Sequence, residues 1–138
     1  MFRLVYISTA RHPIDERQRE QILAVSRRNN LADGLTGLLV IGRRRFLQCL
    51  EGERSSVMCA FNRISADPRH YACVVLASGE VAARQFPHWA MGQVSADEGR
   101  DGADIGEVAA SMIASLSDKV LRAQFTGFIE VQLATRAA

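Results

Sequence analysis

From Phe2 to Ser8 the chain is rich in branched and aromatic residues and alternates in the manner of a strand, which His12-Pro13 then breaks. The period next lengthens. From about Asp15 to Asn29, the residues Ile22, Val25, Ser26 and Asn29 fall on one helical face, Asp15 is placed to cap, and Asn29-Asn30 stands where the helix would close. Asp33-Gly34 makes a turn. Leu35 to Ile41 and Arg45 to Glu51 form a hairpin across Gly42-Arg43-Arg44, its first strand apolar on both faces. A second helix is predicted from about Ser56 to Ala66 on the stripe Val57, Ala60, Phe61 and Ile64, ending before Asp67-Pro68. Tyr71 to Ala77 gives another strand, and Trp89 to Val94 a fifth after the Phe86-Pro87-His88 corner.

This βαββαββ order predicts an α+β fold. Helices that join strands in this way favour right-handed crossovers, and two such units give a ferredoxin-like sheet with both helices on one face. Residues 97 to 104 are acidic, glycine-rich and loop-like. After them Ile105, Val108, Ala109, Met112, Ile113 and Leu116 repeat at helical spacing, and Val120, Leu121, Gln124, Phe125 and Phe128 indicate a further helix that Thr126-Gly127 would kink or end. Val5 and Ile7, opposite in parity to Tyr6, need cover on the second face of the sheet, and these C-terminal helices are expected to supply it. With 138 residues, 48% of them apolar, the chain fits a single core. The expected division is a core over residues 1–96 and a helical cap over 97–138, with no separate output domain.

Composition narrows the function classes. The net charge of +2 comes from sixteen arginines and one lysine dispersed along the chain against fifteen carboxylates. The tight basic run, Arg43-Arg44-Arg45, falls at the hairpin turn and reads as a solvated tip, whereas a nucleic-acid binder would carry a basic stripe with interleaved aromatics. No nucleic-acid partner is expected. Cys49, Cys59 and Cys73 are odd in number and lack C-x-x-C or His-paired spacing, so neither a zinc site nor a disulfide frame follows. They read as small buried hydrophobes in a reducing compartment. No signal-peptide core is seen, and no apolar run approaches the ~20 residues of a membrane span, so a cytoplasmic protein without a membrane partner is expected.

Two polar side chains stand where the strands should bury apolar ones: Tyr6 in Leu4-Val5-Tyr6-Ile7-Ser8 and Gln48 in Phe46-Leu47-Gln48-Cys49-Leu50. A buried glutamine amide left unpaired costs on the order of 1 to 3 kcal/mol, so an inward Gln facing an inward Tyr points to something polar bound between them. Parity places Leu4, Tyr6 and Ser8 on one face, and if Phe46, Gln48 and Leu50 share it, the helix-covered face encloses the ligand. On pattern alone a plainer alternative stands beside this one, with Tyr6 a core tyrosine and Gln48 on the solvent side of an edge strand. The amides of Asn29 and Asn30 could meet a carbonyl of a planar heterocycle, or only cap the helix. Arg63 could reach a ligand edge or stay solvated. Trp89 and Met91 share a face of the last strand, where a core role is the commoner one. His12, His70 and His88 make no metal or triad constellation, and no G-x-S-x-G, P-loop or paired-carboxylate motif is present, so nothing argues for hydrolysis.

Taken in order, these segments resemble the BLUF family of blue-light sensors that use flavin. The resemblance runs from about Phe2 to Gln93 through Leu4-Val5-Tyr6-Ile7-Ser8, Arg28-Asn29-Asn30, Gly34-Leu35-Thr36-Gly37-Leu38-Leu39, Phe46-Leu47-Gln48-Cys49-Leu50-Glu51-Gly52-Glu53, Arg63-Ile64, Asp67-Pro68-Arg69-His70, Arg84, Phe86 and Trp89-Ala90-Met91. It implies FAD, or less often FMN, with the ring between the two sheet-packed helices and its faces against Ile22 and Ile64. Tyr6 would be the electron and proton donor, and Gln48 the bridge that rearranges after light. Asn30 and Arg63 would bond the ring carbonyls, with Asn29 beside the ring or its ribityl side, and Asp67 and His70 complete the flavin-binding set. Ser8, Trp89 and Met91 would form the shell that changes partners with Gln48. The resemblance implies a photoreceptor that is not itself an enzyme; the roughly forty residues beyond the sensor core are too few for an output domain, so a downstream protein effector and a homo-oligomer are expected. The competing readings are a small ferredoxin-like enzyme of acylphosphatase type and a ligand-binding regulatory module that does not respond to light.

Overall fold

A computed structural model of the chain describes residues 1–42, 44–86, 92–95, 113–114 and 116–137, with the backbone alone at 92–95 and 132–137. Five strands, β1 (Phe2–Ala10), β2 (Thr36–Ile41), β3 (Arg45–Gly52), β4 (His70–Glu80) and β5 (Gly92–Ser95), form one sheet in the order β4-β1-β3-β2-β5. β1 lies antiparallel to both β3 and β4, and β2 antiparallel to β3, which is the expected ferredoxin-like arrangement; β5 adds to it parallel to β2. The helices α1 (Glu16–Asp33) and α2 (Arg54–Ser65) supply the two crossovers.

Helix α1 starts as its sequence dictates. Asp15 accepts from the Gln18 backbone at 2.7 Å while the Gln18 side chain accepts from the Asp15 backbone at 3.1 Å, a reciprocal cap. Its end corrects the sequence reading: the helix does not close at Asn29-Asn30 but runs a further turn to Asp33. Leu31 and Ala32 continue it, and Gly34, at φ 69°, supplies the left-handed residue that ends it. Asn30 therefore sits inside the last turn, where its carbonyl oxygen accepts from Leu35 N at 2.8 Å.

Each face of the sheet has its own core. Leu4, Leu39, Ile41, Phe46 and Leu50 pack with Leu23 of α1 and Val57 and Ala60 of α2. Val5, Leu38, Val40, Leu47 and Cys49 pack on the other face with Phe86, Ile113, Leu116 and the apolar stripe Leu121, Phe125 and Ile129 of a C-terminal helix, α3 (Lys119–Ala137). This is the cover that the parity of Val5 required. α3 is continuous through Thr126-Gly127, because the packing of its apolar stripe overrides the poor helix propensity of glycine. The expected helix over 105–116 lies largely outside the described residues.

The stripe Ile22, Val25, Ser26 and Asn29 shares one face of α1 as expected and borders a cleft, while Arg19, Leu23 and Asn30 are the buried residues of the helix. The cysteines, in contrast, do not share the one buried environment expected of them. Cys49 is buried, but Cys59 lies on the outward side of α2 and is exposed, and Cys73 is half-buried on the edge strand β4.

Candidate functional site

The register β1–β3 places Tyr6 directly opposite Gln48, and Leu39 of β2 opposite Gln48 on the other side. Both polar residues are 3% exposed, and the Tyr6 hydroxyl donates to Gln48 Oε1. Burial, with smaller contributions from Cys73 and Asp67, drives the phenol far above its ordinary pKa, so Tyr6 keeps its proton throughout the neutral range. The Phe61 ring of α2 packs on Tyr6 with centroids 5.3 Å apart and fixes its orientation.

Above this pair a cleft of about 210 Å³ opens between α1 and α2. Its floor is Tyr6, Gln48, Leu39 and Phe46; α1 contributes Ile22, Val25, Ser26, Asn29 and Asn30, and α2 with the turn after it contributes Arg63, Ile64, Asp67, Arg69 and His70. Nine residues singled out in the sequence thus line one cleft: Tyr6, Ile22, Asn29, Asn30, Gln48, Arg63, Ile64, Asp67 and His70. Asn30 is buried, whereas the half-exposed Arg63 has Nη1 3.9 Å from Asp33 Oδ2. Asp67 is gripped by Arg69, whose Nε and Nη2 reach the carboxylate at 3.0 and 2.6 Å, and these bonds hold its pKa below the usual carboxylate range. Ser8 is buried beside the cleft, its Oγ 2.9 Å from His70 Nδ1. Trp89 and Met91 lie outside the described residues.

Sequence reasoning left out Ile14, Leu39, Phe46 and Arg69 as site residues. For Leu39 and Phe46 the signal was available, since both share the face of Gln48 by parity. Val25 and Ser26 were placed on the right helical face but not named as site residues.

The family model described as sensors of blue-light using FAD, BLUF, matches residues 1–92. A photoactivated adenylate cyclase subunit beta from Euglena longa is 37% identical over 93 residues, covering 64% of this chain and 11% of that protein. The blue light- and temperature-regulated antirepressor BluF of Escherichia coli is 32% identical over 83 residues, covering 60% of this chain and 21% of its own. Among solved structures, the dark state of BlrB, a BLUF protein, superposes with a TM-score of 0.67 at 29% identity, covering 99% of this chain and 93% of that one. The chain spans about a tenth of the cyclase and a fifth of the antirepressor.

The chain belongs to the BLUF family. Its matched stretch is a blue-light-sensing, flavin-binding domain and not a catalytic one; the cyclase relatives extend far beyond the part they share with it. The residues present suit a flavin. Ile22 and Ile64 bring branched apolar chains from opposite helices, the floor carries one amide, and amides and a guanidinium border the cleft. A cleft of 210 Å³ falls below the roughly 300 to 1,000 Å³ that encloses a drug-sized ligand. Among the described residues no helix is long and apolar enough to cross a membrane.

Proposed function

We propose that this domain senses blue light through the buried Tyr6–Gln48 pair, with a flavin ring lying between Ile22 and Ile64. The observation that carries the reading is the hydrogen bond from the Tyr6 hydroxyl to Gln48 Oε1 at the floor of an apolar-walled cleft. The bound flavin supplies blue-light absorption and a strong photo-oxidant. Tyr6 is the donor: held protonated by burial, it gives up an electron and then its hydroxyl proton, and recovers both. Gln48 is the memory of the event. An amide presents an acceptor at one end and a donor at the other, so its reversal or tautomerisation exchanges the bonds it offers without moving β3. Asn30 and Arg63 hold ring carbonyls, Asn29 stands beside the ring or its ribityl side, Asp67 and His70 complete the flavin-binding set, and Ser8, Trp89 and Met91 adjust around Gln48.

FAD is the proposed resident flavin, as in the description of the matched family; FMN, which carries the same ring, is the second candidate, and the mass of the flavin released on denaturation distinguishes them. The signal passes along β5 and α3 to an effector protein in the cytoplasm. Val120 and Val131, 66% and 60% exposed on α3, offer the contact for a homo-oligomer.

The test is optical. Blue light should shift the flavin band of the purified protein reversibly to longer wavelength without bleaching, because the hydrogen bonds at the ring change while the flavin returns to its oxidised form. Tyr6→Phe and Gln48→Leu should each retain flavin and lose that shift. A full shift in either variant removes that residue from the mechanism, and lasting bleaching rejects the mechanism itself.

A further inference from the structure

His70 opens β4, and its imidazole joins two parts of the cleft. Nε2 lies 2.5 Å from the Ile64 carbonyl oxygen at the end of α2, and Nδ1 lies 2.9 Å from Ser8 Oγ. A carbonyl oxygen only accepts, so Nε2 carries the proton; in the neutral ring Nδ1 is then the acceptor and takes the Ser8 hydroxyl hydrogen. Ser8 is 1% exposed and stands two residues from Tyr6 on the same face of β1, while Ile64 lines the cleft from α2. The Phe46 ring meets the imidazole edge-on at 6.2 Å, and Cys73 Sγ lies 3.7 Å from Nδ1. Both of its nitrogens are thus bonded within the protein, and what His70 presents to the cleft is the surface of its ring.

We propose that His70 is a positioning residue for the light response: by bonding Ser8 to the Ile64 carbonyl it fixes the Tyr6 strand against the α2 wall of the cleft. This rests on the photoreceptor reading and adds to it a determinant of how long the lit arrangement lasts. Reversal of the Gln48 amide in a close-packed site requires its surroundings to give way. A clamp between floor and wall resists that movement, so its loss shortens the return to the dark arrangement.

The experiment follows dark recovery of the flavin band after blue light in the wild type, Ser8→Ala, His70→Phe, His70→Gln and the Ser8→Ala/His70→Phe pair. His70→Phe keeps a planar ring against Phe46 and removes both bonds. Recovery is expected to be roughly three- to tenfold faster, the rate equivalent of about one hydrogen bond. Ser8→Ala should accelerate recovery equally and the double variant no further, since all three remove one bridge. His70→Gln, whose amide carries an acceptor and a donor at one end, should restore most of the wild-type rate. If His70→Phe fails to fold, Ser8→Ala and His70→Gln decide alone. A wild-type recovery rate in Ser8→Ala or His70→Phe overturns the proposal, as do multiplying effects in the double variant; lowered flavin retention with unchanged recovery would mean a structural histidine only. A wild type that binds flavin without any shift refutes the photoreceptor reading and this one together, whereas a normal shift with unchanged kinetics in the variants removes His70 alone.

Discussion

Gln48 and Glu51 stand three residues apart on β3, both fully enclosed, on opposite faces of one sheet, and they are built for opposite purposes. Gln48 borders a cleft and bonds to Tyr6, a neutral group that can either donate or accept. Glu51 sits among fixed donors: Phe86 N at 2.7 Å, Gln85 N at 2.9 Å and Thr36 Oγ1 at 3.2 Å, with Arg3 Nε 3.8 Å away. An amide beside a cavity can turn over and find its bonds again; a carboxylate ringed by backbone N–H groups cannot. The difference teaches which buried polar group can move. The Glu51 face is also fastened to α3, because Gln85 cross-links to Ser117 and Arg3 bonds Asp118 at 2.7 Å. The cleft face is thus free to respond while the opposite face holds the helix to the sheet.

The comparison breaks most severely at Phe125, which has no exposed surface and packs against Phe86 at 6.3 Å. Phe125→Ala should cost about 3 to 5 kcal/mol in denaturant unfolding, by transfer of the lost ring and the cavity left behind. If the cost stays below about 1 kcal/mol, α3 is not the core of that face. Glu51→Ala comes next, at about 3 kcal/mol, since it leaves the buried Phe86 N–H and the part-buried Gln85 N–H without their acceptor and removes one of the two carboxylates beside the mostly buried Arg3 guanidinium. Glu51→Gln should lose less, because an amide oxygen still accepts. Equal losses in the two variants would show that the negative charge, and not the acceptor set, matters there.

What could be read from the sequence follows the regularity of the strand pairing. β1 and β3 pair without interruption from Phe2 opposite Gly52 to Thr9 opposite Arg45, so parity counting brings Tyr6 to Gln48 correctly. Pairing of β1 with β4 shifts register twice, and Ala72 there adopts a left-handed φ of 54°. Across such bulges parity fails, which is why the Ser8–His70 contact had no sequence signal. The same edge strand leaves Val74 and Leu76 exposed and Cys73 only half-buried, against the expectation of buried cysteines. Helix ends suffered differently: Asn29-Asn30 offers a stop signal one turn before Asp33-Gly34, but glycine takes the left-handed conformation at less cost than asparagine, and the helix ends at Gly34. The cap on the second face was legible because Val5 and Ile7 had to be covered by something, but the Glu51 network was not, since a single acidic residue at a strand end looks solvated.

On the cleft face the expected losses appear in ligand affinity and hardly at all in folding. Asn30→Ala should weaken flavin binding about tenfold, or roughly 1.4 kcal/mol, if its amide holds a ring carbonyl. Titration of the flavin-free protein with flavin measures this. Unchanged affinity would leave Asn30 as a helix-end residue, with Asn29 and Arg63 carrying the polar edge.

The smallest effect lies at the helix-fastening end and is read against pH. Asp118 caps α3, accepting from Leu121 N at 3.0 Å, and also bonds Arg3; the backbone bond first and the arginine second hold its carboxyl below the usual range. A depressed folded-state pKa stabilises the protein above the unfolded value of about 4 and ceases to do so as pH falls through the folded value. The aspartate is partly exposed, so solvent screening keeps this contribution under about 1 kcal/mol. Asp118→Asn preserves a capping oxygen and removes the charge. It should therefore fall slightly short of the wild type near neutrality and converge with it as pH falls through the depressed folded-state value, with the light shift intact. Equal stability of the two proteins at neutral pH would mean that the Arg3–Asp118 pair adds nothing, leaving Gln85 as the tie between α3 and the Glu51 face.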